Sequence, residues 1–79
     1  MKQLGIMGIR VKGRDKHAPE VQEVLTRHGE IITTRTGFHG DGGDQGLISL
    51  TLQGDFHEFM QLEKDLTGIN GVEVQYLKF

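Results

Sequence analysis

Apolar residues alternate through Leu4–Val11 and then recur with a helical period through Val21–His28. Two alternating stretches follow, Ile31–Phe38 and Leu47–Leu52. A second helical stretch covers Phe56–Leu66, and a last alternating one covers Val72–Phe79. A period of two places every second side chain on one face of a strand, and a period near 3.6 gives a helix one apolar stripe. The order strand, helix, strand, strand, helix, strand predicts an α+β domain with a ferredoxin-like βαββαβ plan: a four-stranded antiparallel sheet with two helices on one face.

The boundaries follow from local chemistry. In the first strand Met7, Ile9 and Val11 share one face and Leu4 and Ile6 the other, with Gly5 and Gly8 interrupting. A strand glycine packs poorly but permits a bulge or a close approach of another group. Gly13 closes the strand and Lys12–His17 reads as a turn. Pro19 fits a first helical turn, where its missing N–H would be unbonded anyway. Val21, Val24, Leu25 and His28 form the apolar stripe, and Gly29 is placed to supply a left-handed stop. Gly40, Gly42, Gly43 and Gly46 lie between the two middle strands, a long hairpin loop. Ile48, Leu50 and Leu52 alternate with Leu47, Ser49 and Thr51, as suits a sheet covered on one side. Asp55 and Glu58 have capping-box spacing, Phe56, Phe59, Leu62 and Leu66 form the second stripe, and Gly68 ends it. Asn70-Gly71 is a turn pair that accepts positive φ. In the last strand Leu77 and Phe79 fall on the nominally polar face, which marks them as residues that meet another subunit.

The chain has 79 residues, read as one domain over 1–79. So short a chain buries only ~60% of the surface its unfolded form exposes. Small domains compensate with disulfides, metals or oligomers. There is no cysteine, which excludes disulfides, thiolate metal sites, iron–sulfur ligation and cysteine nucleophiles. Self-association is the remaining support, so a homodimer or homotetramer is expected. The formal net charge of −2 does not favour a nucleic-acid or membrane partner. Lys2, Arg10, Lys12, Arg14 and Lys16 nevertheless gather near the start and most acids later. No apolar run approaches the ~20 residues of a membrane span. Met1-Lys2-Gln3-Leu4 runs into a strand with no secretory signal, so a cytoplasmic location is expected.

Candidate chemistry is sparse. His17, His28, His39 and His57 form no His-x-His or His-x-x-x-His pair, and His39 with Asp41 and Asp44 matches no recognised ligand spacing. No metal site and no cofactor is expected. The glycine loop lacks the Lys-Ser/Thr of a phosphate-binding loop and precedes a strand. Ser49 lies mid-strand without a nucleophile turn, and capping explains the Asp55–Glu58 pair, so the chain is read as non-catalytic. The first and third strands carry no aromatic on which a base could stack, against the RNA-binding use of this topology.

Ile9-x-Val11, Val24-Leu25, Ile31-x-x-x-Arg35-x-Gly37, Leu47-Ile48-x-Leu50-x-Leu52 and Gly71-Val72-x-Val74 together resemble a known family. The pattern is similar to the small regulators assigned to the iron-only hydrogenase system, which are related to ACT domains. Arg35-x-Gly37 followed by Phe38 is its most distinctive element. The resemblance implies a regulatory rather than catalytic role and association through sheet edges or faces. ACT domains bind amino acids or other small effectors at subunit interfaces, often beside the first strand–helix turn. By that analogy the ligand residues are Lys12, Gly13, Arg14 and Asp15, with Arg35 and His39 reached between subunits. The usual Asp-x-Pro-Gly-like turn is absent here. The expectation is therefore a ligand-sensing regulatory domain; the alternative is an adaptor that binds a protein through its sheet without a small ligand. The open face, taken to carry threonines, Arg35 and exposed apolar groups including Leu77 and Phe79, is the expected interface.

Overall fold

The computed structural model describes residues 2–39 and 44–79, the side chains of residues 14, 15 and 38 excepted. In order the elements are β1 (Gln3–Lys12), α1 (Arg14–Arg27), a 3-10 turn (Gly29–Ile31), β2 (Ile32–His39), β3 (Gln45–Gly54), α2 (Phe56–Thr67) and β4 (Val72–Lys78). The strands form one antiparallel sheet in the order β2-β3-β1-β4, which is the ferredoxin-like arrangement. Met7, Ile9 and Val11 of β1 and Leu50 and Leu52 of β3 face the two helices. They meet Val21, Val24 and Leu25 of α1 and Phe59, Leu62 and Leu66 of α2 in one core. The alternation read from the sequence thus sorts β1 and β3 onto the correct side.

Gly5 shows why β1 carries a glycine. A Cβ there would stand 3.0 Å from Phe59 Cε2 and 3.1 Å from the Leu77 carbonyl oxygen. The bare backbone lets the fully buried Phe59 ring lie directly on the central strand. The α2 start is a complete capping box: Glu58 N–H donates to Asp55 Oδ1 at 2.9 Å, and Asp55 N–H donates to Glu58 Oε1 at 3.1 Å. Gly71, at φ +82°, makes the turn into β4, and its carbonyl accepts from Lys12 N–H at 2.8 Å.

Several expectations change. The segment read as a turn is the first turn of α1: Gly13 at φ +62° swings the chain round, and its carbonyl accepts from Lys16 and His17 N–H at 2.9 and 3.2 Å. Pro19 therefore lies inside the helix rather than in its first turn. It has no N–H to offer the carbonyl four residues back. Gly29 and Gly68 do not adopt positive φ. The chain leaves α1 through the 3-10 turn, which drops Ile31 into the core, so β2 begins one residue later. Gly68 caps α2 in right-handed geometry at φ −70°.

Candidate functional site

The face turned away from the helices is built by strand register. Ile6 pairs with Thr51 on one side and Leu77 on the other; Gly8 pairs with Ser49 and Gln75; Arg10 pairs with Leu47 and Glu73. Opposed residues of antiparallel strands share a face. Phe79 N–H donates to the Leu4 carbonyl at 2.8 Å, extending the ladder by one step. Leu4, Ile6, Leu77 and Phe79 consequently adjoin, with relative exposures of 55, 45, 62 and 69%. Leu47 is also exposed further along, beside an Arg10 Nη2–Glu73 Oε1 ion pair of 2.5 Å. Between the apolar end and the charged end lies Gly8, where an added Cβ would find only the Gln75 carbonyl oxygen, 4.0 Å away.

Arg35 is not on this face. It pairs with buried Leu50, so it points to the helix side, where its Nη2 donates to Gln22 Oε1 of α1. Strict alternation from Ile32, which pairs with buried Leu52, would turn Arg35 outward. An irregularity between Ile32 and Thr34 shifts the register by one residue and turns Arg35 to the helix side. That irregularity brings the hydroxyls of Thr33 and Thr34 to 2.6 and 2.5 Å from Thr51 Oγ1.

The predicted ligand residues are partly brought together. Lys12 ends β1 opposite Gln45, and Gly13, Arg14 and Asp15 lead into α1 at the same end of the sheet. His39 pairs with Gly46, which pairs in turn with Val11, so it lies at that end two strands away. Two strand spacings amount to ~10 Å. Arg35 lies four residues further down β2, ~13 Å away at the usual rise, and does not join the group. His39 and Arg35 instead flank a crevice between α1 and the β2–β3 hairpin, lined by Ala18, Gln22, Gly37 and Gly46 among others. None of the four was expected as a site residue; short Ala18 facing Gly37 and Gly46 across two elements was the available signal.

His28 Nε2 and Asp65 Oδ2 are 2.8 Å apart across the two helices, and Gln61 Nε2 donates to Asp65 Oδ1 at 3.2 Å. The hydrogen bond with His28 holds the Asp65 carboxyl below its ordinary range, against an opposing contribution from desolvation. Among the described residues no three His, Asp or Glu side chains are grouped to hold a metal. Asp41, one member of the trio weighed from the sequence, lies outside the described residues. No helix of the described residues is long and apolar enough to cross a membrane.

The model of the TM1266-like family, "Iron-only hydrogenase system regulator, putative", matches residues 3–76. The chain belongs to this family. The solved structure of the uncharacterized protein TM1266 from Thermotoga maritima is 29% identical, with a TM-score of 0.92 over 100% of this chain and 99% of that one. The ACT domain of GTP pyrophosphokinase from Chlorobium tepidum is 17% identical, with a TM-score of 0.79 over 96% of this chain and 86% of that one. CPII from Thiomonas intermedia K12, solved with ADP, AMP and acetate, is 17% identical, with a TM-score of 0.54 over 100% and 91%. The latter two share the fold. Among curated proteins none matches the sequence. Family and fold together support a regulatory domain, and the ACT-like architecture expected from the sequence is the one present.

Proposed function

We propose that this chain, one domain over residues 1–79, is a non-catalytic regulatory domain that senses a small effector as a homodimer or homotetramer. The regulatory part rests on the family description. The observation that carries the assembly is the contiguous exposed group of Leu4, Ile6, Leu77 and Phe79 on the face with no helix over it. Each such side chain contributes ~1.5–3 kcal/mol when fully buried, so covering even half of this group matters to so small a domain. A second copy is a fitting cover. Under a two-fold axis the Arg10–Glu73 pair is its own electrostatic complement, and the Gly8 hollow accepts a side chain from the opposite sheet. The effector residues are proposed at the Lys12–Asp15 end with His39, and at Arg35.

Sedimentation tests the assembly. The parent chain should sediment as more than one copy at micromolar concentration. Leu77→Glu should yield a monomer that keeps the parent circular dichroism. A monomeric parent removes the interface. Thermal-shift screening against amino acids, nucleotides and divalent metals tests the sensing. A silent panel together with a protein partner recovered by pull-down favours the adaptor reading, which would use the same open face.

A further inference from the structure

Helix α1 packs on β1 and α2 and leaves the inner side of the β2–β3 hairpin partly uncovered. Toward that hairpin it turns Ala18, which is short, and Gln22, which is polar; the strands beneath offer Gly37 and Gly46. Among the described residues no apolar side chain from either layer fills the gap. A crevice of about 150 Å³ remains, walled by Val11, Val21 and Ile48, with His39 at its outer end. A second hollow of about 110 Å³ shares Gln22, Gly37 and Ile48 with it and is lined also by Arg35.

The Arg35 end differs from the middle. Among the described residues Arg35 has no carboxylate partner, and its contact is the Gln22 carbonyl. A guanidinium carries five N–H donors in a planar fork, so several remain free to grip an anion in bidentate fashion. A cation at the rim of an apolar slot suits a molecule with a charged head and a hydrocarbon body. The volume is well below the ~300–1,000 Å³ of sites for drug-sized ligands, which restricts the body to a few carbons.

We propose that this crevice binds a short-chain aliphatic carboxylate, with the carboxylate on Arg35 and the hydrocarbon over Gly37. The inference rests on the ligand-sensing reading and names its ligand class. Because every lining residue belongs to one chain, it does not depend on assembly.

Isobutyrate is the probe, with isobutyramide as its uncharged isostere. Titration followed by amide-resolved NMR should shift Ala18, Gln22, Arg35, Gly37 and Ile48 together and raise the melting temperature. Isobutyramide should bind at least ~10-fold more weakly, as should isobutyrate to Arg35→Gln, because a charge-assisted hydrogen bond is lost. Gly37→Val supplies the filling side chain. A Cβ there meets Ile48 Cγ1 at 3.6 Å and the Leu47 carbonyl oxygen at 3.7 Å, ordinary contacts, so the fold should persist while the response to isobutyrate disappears. The proposal is overturned by no shift at millimolar isobutyrate, by shifts away from the crevice, by equal binding of the amide, or by undiminished binding to Gly37→Val. Sedimentation of the same samples separates the two readings: a monomer that binds isobutyrate removes the interface and leaves the crevice. An effector found by the wider screen to bind elsewhere, with isobutyrate giving no shift in the crevice, keeps the sensor and removes the crevice.

Discussion

His28 and Asp65 tie the C-terminal end of α1 to α2 through a 2.8 Å contact between Nε2 and Oδ2. In the sequence His28 completes an apolar stripe; in the fold its ring lies at the edge of the core, where it can reach a carboxylate. Both side chains are largely shielded, with 17 and 26% of their surfaces exposed, so the contact is screened less than a surface pair.

The pH dependence follows from Asp65. Its folded-state pKa lies below the ordinary 3.8, chiefly through the His28 hydrogen bond, so the unfolded chain takes up the proton first as pH falls. The stabilisation is therefore fully present above that ordinary value and is lost as pH drops through the folded value beneath it. Asp65→Asn should lower stability by about 1 kcal/mol near neutrality and flatten the acid limb. Urea unfolding across acidic pH measures both.

Gly5→Ala should destabilise by about 1–3 kcal/mol, since the new methyl group meets the Phe59 ring and a strand carbonyl with little space to yield. Gly8→Ala, three residues on and on the opposite face with open space, should change monomer stability by less than about 0.5 kcal/mol. Chemical denaturation of the pair checks the contrast.

Two turn glycines should respond with opposite signs. Gly71→Ala combines positive φ with a Cβ placed 2.7 Å from the Lys12 carbonyl oxygen, and should cost about 2 kcal/mol or more. At Gly29 φ is ordinary and nothing lies within 4 Å of the added carbon. Gly29→Ala should stabilise by about 0.4–1 kcal/mol through the unfolded chain's lost freedom. Thermal unfolding reads both signs.

Asp55→Ala removes the acceptor of Glu58 N–H and leaves the first turn of α2 short of a partner. A loss of about 1 kcal/mol is expected, and amide exchange should quicken first at that end of the helix. Asp55→Ser, which keeps an acceptor, should restore most of it.

The element order, the core faces of β1, β3 and α2, and the Asp55–Glu58 cap were all legible in the chain, because each depends on contacts between near neighbours. Periodicity alone places Met7, Ile9, Val11, Leu50, Leu52, Phe59 and Leu66 inward. Leu77 and Phe79 were likewise legible as outward-facing apolar residues. The side taken by Arg35 was not legible, since alternation from Ile32 turns it outward and only the irregularity before Thr34 brings it back to the helix side. The start of α1 at Gly13, the ordinary φ of Gly29 and the meeting of His28 with Asp65 were tertiary outcomes as well. So was the gap over Gly37: a crevice exists where two elements fail to touch, and one-dimensional patterning records which faces are apolar without recording how far apart packing leaves them.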